Sequence, residues 1–147
     1  MEKVCSSIKV KAHSGPWYWP QFEAKLLLPG PFKGLLKLKR EGRPYTLQRF
    51  RAWGTVKIKA LGTAPLGTPI NIFDPTVYYL GRSGSEIEIA RPKASGTEVE
   101  VSFDRYLDVY REWRGPGLQG LKVVGRTGWE CDVEVYVEAC FELTWVG

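Results

Sequence analysis

In the stretch Trp129-Glu130-Cys131-Asp132-Val133-Glu134-Val135-Tyr136-Val137-Glu138-Ala139-Cys140-Phe141-Glu142-Leu143-Thr144-Trp145, two kinds of residue take turns. Trp129, Cys131, Val133, Val135, Val137, Ala139, Phe141, Leu143 and Trp145 hold the odd positions, and Glu130, Asp132, Glu134, Glu138 and Glu142 fall on the even ones. Successive side chains of a β-strand point to opposite faces, so this period of two marks a strand with one face in a core and one in water. The parity holds for 17 residues, and no Gly, Asn or Pro interrupts it to make a tight hairpin. We read one strand, which at ~3.3 Å per residue runs past about 50 Å and crosses a whole sheet.

The same period recurs toward the N-terminus. Ile8 and Val10 alternate with Lys9 and Lys11; Phe22, Ala24, Leu26 and Leu28 share a face opposite Glu23 and Lys25. Leu36 and Leu38 alternate with Lys37 and Lys39, Val56 and Ile58 with Lys57 and Lys59, and Ile87 and Ile89 with Glu86 and Glu88. Val99, Val101 and Phe103 alternate with Glu98, Glu100 and Ser102. Turn clusters separate these runs, among them Leu28-Pro29-Gly30-Pro31, Glu41-Gly42-Arg43-Pro44, Gly81-Arg82-Ser83-Gly84 and Gly115-Pro116-Gly117. Eight to ten short strands in one chain predict an all-β antiparallel sandwich. One segment departs from the pattern. Phe103, Tyr106, Leu107, Tyr110 and Trp113 fall at helical spacing before Gly115 and Pro116, which predicts a short helix over residues 104–114.

The chain has 147 residues, the size of one domain, with 44% apolar and 25% charged residues, ordinary values for a globular protein. Residues 1–147 are therefore read as a single domain, without linker or internal repeat. No apolar run approaches the ~18–20 residues of a membrane helix, and Met1–Lys11 is too polar for a secretory signal. The expected location is a virion or the cytoplasm. One His, one Asn and three Gln, beside many Arg, Glu and Pro, make the composition of a thermophile protein. Cys5, Cys131 and Cys140 are odd in number and lack metal-ligand spacing, so three buried, reduced thiols are expected.

Catalytic chemistry finds few candidates. His13 is the only histidine, beside Ser14-Gly15-Pro16 in what reads as a solvated loop. Any Ser–His or Cys–His arrangement would have to use it. No phosphate-cradling glycine motif and no cluster of metal ligands is present. Carboxylates such as Glu98, Glu100, Glu130, Asp132 and Glu134 alternate with core residues and read as strand faces in water, not as a hydrolytic pair. No enzyme activity, cofactor, metal or small-molecule substrate is expected.

Two features point to recognition. Residues 1–60 carry 13 Lys and Arg against 3 acids, while residues 61–147 carry 8 against 13. Three arrangements fit: basic early strands paired beside acidic late ones in one sheet, complementary edges on neighbouring subunits, or a basic face for nucleic acid or anionic membrane. Lys37, Lys39, Lys57 and Lys59 against Glu130, Asp132 and Glu134 are the charged interface candidates. The second feature is Gly15-Pro16-Trp17-Tyr18-Trp19-Pro20, three large rings between two prolines. Trp17, Tyr18 and Trp19 either plug one end of the sandwich, anchor a protein interface, or stack on sugars or bases.

A basic N-terminal segment, eight or more short strands and a long final strand resemble the single jelly roll of icosahedral virus capsids. With the thermophile composition, the chain resembles the small single-jelly-roll coat or virion proteins of viruses infecting thermophiles. The resemblance spans roughly the whole chain and is a pattern without a diagnostic motif. It implies a jelly-roll-like fold and a non-enzymatic structural subunit that self-assembles or decorates a shell, with itself or other structural subunits as partners. The alternatives are a carbohydrate-binding module using the aromatic loop, or a nucleic-acid or membrane-surface binder using the basic half.

Overall fold

The long C-terminal alternation forms strand β9, Cys131–Val146, in a computed structural model that describes all 147 residues. Eight further strands precede it: β1 (Glu2–Ser14), β2 (Gln21–Pro29), β3 (Thr46–Ala60), β4 (Ile72–Leu80), β5 (Glu86–Ala90), β6 (Ser95–Gly96), β7 (Glu98–Leu107) and β8 (Leu118–Thr127). One α-helix, α1 (Lys33–Arg40), lies between β2 and β3. Val133, Val135, Val137 and Leu143 are fully buried, and the intervening Asp132 and Glu138 are exposed, so the parity of β9 survives along its length.

β9 lies inside a four-stranded sheet ordered β1-β9-β3-β7; the facing sheet is ordered β2-β8-β4-β5, with the two-residue β6 on β4. Every pairing is antiparallel. With β6 set aside, the first strand pairs with the last, the second with the next to last, and so inward to the adjacent β4 and β5. That is one long antiparallel ladder wrapped around a core, the double Greek key of the jelly roll. The core between the sheets holds Phe50 at its centre, stacked on Phe141 at 6.1 Å and tilted against Tyr79 at 5.5 Å. Tyr79 donates a buried hydrogen bond to the Gln119 side-chain oxygen, whose amide nitrogen donates to the Gly115 carbonyl at 2.7 Å. Gly54 lies opposite Ala139 on β9: its φ is +156°, and a Cβ there would lie 2.1 Å from the Glu138 carbonyl oxygen.

Three expectations are corrected. Residues 104–114 are not a helix. β7 continues to Leu107, with Phe103 and Leu107 buried and Tyr106 and Tyr110 exposed, so the rings do not share one face. The ladder to β3 and a two-pronged Arg51–Asp104 pair, at 2.8 and 2.6 Å, hold the strand. Only a turn follows, with the Asp108 carboxylate accepting from the Tyr110 and Arg111 amides. The helix lies instead at Lys33–Arg40, where Leu36, Lys37, Leu38 and Lys39 read as a strand. There Phe32 and Leu35 enter the core three residues apart, as a helix allows, and Gly42 leaves the turn after it at φ +65°. Cys5 and Cys140 are not thiols: they lie directly opposite each other on β1 and β9, Cα to Cα 4.0 Å, and form a disulfide. Cys131 remains a buried free thiol, unlinked to Cys140. No helix is long and apolar enough to cross a membrane.

Candidate functional site

The loop from Gly15 to Pro20 joins β1 to β2 at one end of the sandwich. Gly15 and Gln21 exchange backbone hydrogen bonds of 3.0 and 3.2 Å across its base, and the Trp19 amide donates to the Pro16 carbonyl at 3.0 Å. The Gly15–Pro16 peptide is cis. The backbone closed below, the rings point out: Trp17, Tyr18 and Trp19 are 69%, 71% and 53% exposed. They do not plug the core, whose end is closed beneath them by buried Ser14 and Thr127, hydrogen-bonded at 2.6 Å. Trp17 and Tyr18 meet edge to face at 5.9 Å. Trp19 lies over the Arg126 guanidinium at 5.1 Å, and Arg126 in turn reaches Asp74 at 2.5 Å. A groove of about 290 Å³ opens between Trp19, Pro20, Phe73, Arg126 and Thr127. Asp74 stands there with φ +52°, a left-handed backbone for a non-glycine residue, at a break in the β4–β8 ladder.

His13 lies in β1 at the base of the same loop, not in a loop of its own. Its Nδ1 is 2.9 Å from Asp132 and its Nε2 2.9 Å from Glu130. Both nitrogens face carboxylates, which favours the doubly protonated ring. The hydrogen bond to Asp132, then that to Glu130, holds the imidazole pKa above its ordinary value. A ring with both nitrogens engaged by carboxylates has none free to take a proton from a nucleophile. Ser14, next in sequence, has its hydroxyl buried against Thr127.

The other charged candidates lie elsewhere. Lys57 and Lys59 face Glu100 and Glu98 on β7, while Glu134 on β9 lies opposite Lys11 and Lys59 and 3.8 Å from Lys9. The outer face of the β1-β9-β3-β7 sheet therefore runs basic, acidic, basic, acidic from strand to strand, and the uneven charge along the sequence is matched across its ladders. Lys37 and Lys39 are on α1 at the opposite end, since Glu2 at the start of β1 accepts from the Gly34 amide while Ser14 at its end meets the loop. The structure thus brings Trp17, Tyr18 and Trp19 together with Glu130 and Asp132, and separates them from Lys37 and Lys39. Sequence reasoning named Glu130 and Asp132 but missed their pairing with His13, and it missed Arg126 and Asp74, because these contacts form only through the register of β9 on β1 and of β8 on β4.

No protein-family model matches the chain, and no curated protein does. Among solved structures, the chain is similar to the VP2 subviral particle of infectious bursal disease virus, with 9% identity and a TM-score of 0.41 over 95% of this chain and 32% of that one. It is similar to the empty virus-like particle of Cowpea Mosaic Virus, with 8% identity and a TM-score of 0.41 over 98% of this chain and 84% of that one. A further likeness is to the CBM22-1-GH10 modules of Clostridium thermocellum xylanase 10B complexed with xylohexaose, with 12% identity and a TM-score of 0.35 over 94% of this chain and 26% of that one. The chain thus spans about a third of the bursal disease virus protein's length.

Proposed function

We propose that this protein is a non-enzymatic structural subunit that assembles with copies of itself or with other shell subunits through the Trp17-Tyr18-Trp19 loop. The observation that carries the reading is the exposure of three large rings on a loop whose backbone is fixed at its base. Exposed Trp and Tyr are costly in water and are the residues that most often hold an interface once buried. A loop already closed by its own hydrogen bonds loses little further entropy on docking. The His13, Glu130 and Asp132 cluster beside it supplies a charged rim. Charge pairing within the sheet leaves less complementarity for strand edges than the sequence suggested, so the rings supply the hold and the rim steers.

Changing Trp17 and Trp19 together to Ser tests the proposal. Light scattering is expected to show oligomers of the unaltered protein at high concentration and their loss in the double variant, while the melting temperature falls by only a few degrees. An unaltered protein that stays monomeric at about millimolar concentration, well above the dissociation constants of specific interfaces, refutes it. A second reading, carbohydrate binding, has one observation in its favour: the groove under Trp19 sets a ring face beside the Arg126–Asp74 pair. Tryptophan fluorescence that shifts on adding polysaccharide to a monomeric protein would favour it.

A further inference from the structure

Residues 33–49 hold six Lys and Arg against Glu41 alone, a net of +5. The whole chain also carries +5, so the remaining residues, with fifteen cations and fifteen acids, sum to zero. The excess positive charge of the protein therefore resides in α1 and the chain that leads from it into β3. On the sheets, several cations pair with acids: Arg51 with Asp104, Lys122 with Glu23 and Glu86, Arg126 with Asp74. In the 33–49 segment only Arg43 has an ion pair, to Glu41 at 3.5 Å; Lys33, Lys37, Lys39, Arg40 and Arg49 have none.

We propose that α1 and the start of β3 form a binding site for single-stranded nucleic acid, which they hold by its phosphates. Phe32 and Leu35 are fully buried, so the helix is mounted rigidly and presents Lys33, Lys37, Lys39 and Arg40 to water. The chain then passes to Arg49 and Arg51, whose guanidiniums lie 5.4 and 5.8 Å from the ring of Tyr106, itself 57% exposed. Tyr110, 59% exposed, is steadied by its hydroxyl donating to the Leu47 carbonyl at 2.7 Å. Cations beside exposed rings are the pairing that single strands require, phosphates to cations and bases to rings. A bilayer surface fits less well, because Leu35 is buried and Leu36 and Leu38 are half-buried, so α1 has no exposed large apolar residue to enter lipid. A second copy fits less well, because the acids of β7 and β9 already face lysines of their own sheet. β1 alone spans about 40 Å at ~3.3 Å per residue, so this site and the aromatic loop lie at opposite ends and neither proposal rests on the other.

The test is fluorescence anisotropy of a labelled oligothymidylate of about twenty nucleotides with the full chain, at salt from about 50 to 200 mM. Binding is expected to weaken with salt at a log–log slope near −3, from about 0.7 per phosphate contact. K37Q/K39Q/R40Q is expected to lose tenfold or more in affinity and about two units of slope, with an unchanged melt, because all three side chains are exposed. K11Q/K25Q/K93Q removes the same formal charge elsewhere and is expected to stay within about threefold. Tyr106→Ala is expected to weaken the single strand roughly tenfold without changing the slope. Equal losses in the two triple variants, no binding at about 50 mM salt, tighter binding of duplex than of single strand, or binding to phosphatidylserine vesicles without binding to the oligonucleotide would each overturn the proposal.

Discussion

Val135 and Glu134 are neighbours in sequence and strangers in environment. Val135 is fully buried in mid-β9, with Val10 opposite it on β1 and Ile58 on β3. Glu134 points the other way, among Lys9, Lys11 and Lys59. Replacing Val135 by Asp places a carboxylate between the sheets with no cation to meet it. An unpaired polar group there costs several kcal/mol, and the acid must also remain protonated to stay, against a total stability of about 5–15 kcal/mol. We expect Val135→Asp to fail to fold at ordinary temperature. Val135→Ala keeps the fold and gives a measurable loss: removing two buried methyl groups and leaving a small cavity costs about 2–3 kcal/mol. For a chain of this size that is roughly 4–12 °C in Tm at ~2–4 °C per kcal/mol. Glu134→Gln removes one partly exposed charge from a set of lysines and is expected to shift stability by less than ~1 kcal/mol. Circular-dichroism melts of the three variants side by side decide. If Val135→Asp and Glu134→Gln melt alike, β9 does not present the faces described and the sandwich assignment fails with it.

Two other outcomes follow from the bonds of β1. Reducing the Cys5–Cys140 disulfide opens a loop of 135 residues, which the chain-entropy model values at about 5 kcal/mol; a non-reducing mass measurement should find one titratable thiol, Cys131, and a melt with reductant should fall well below one without. The His13 pKa is raised in the folded chain, so its pairs with Asp132 and Glu130 contribute fully below the unfolded value near 6.5 and fade as pH rises through the folded value. The stability of the unaltered protein should therefore drop relative to His13→Gln on going from about pH 6 to about pH 9, and two parallel pH curves would contradict this.

Strand existence and facing were legible because the period of two in β9, β2 and β7 is set by burial on one side, which the sequence records residue by residue. Jelly-roll order was legible only as a resemblance, since nothing in Val4 or Phe141 states that β1 pairs with β9. The disulfide was hidden for the same reason: Cys5 and Cys140 become neighbours through register, and no local spacing announces it. α1 was missed because Leu36, Lys37, Leu38 and Lys39 satisfy a period of two as well as a helix does, and the deciding contacts of Phe32 and Leu35 come from the core they enter. The helix expected at 104–114 reflects a helical spacing of aromatic residues that runs from an edge strand past its end: Tyr106 on β7 is held outside the core by arginines, and Tyr110 and Trp113 lie beyond Leu107. At the candidate site, Trp17, Tyr18 and Trp19 were visible as a motif, yet their exposure was not, because plug and anchor share one composition. The charge split was visible too, but its cancellation across the sheet needed the strand order.

The proposed assembly buries Trp17, Tyr18 and Trp19 between subunits. Sedimentation velocity of the unaltered protein, from about micromolar to millimolar concentration, tests it most directly, since that range spans the affinities of specific interfaces. Species heavier than the 16.6 kDa chain are expected to grow with concentration, with Trp17 and Trp19 fluorescence shifting as the rings leave water. A single species at the monomer mass across the whole range, with unchanged fluorescence, would contradict it.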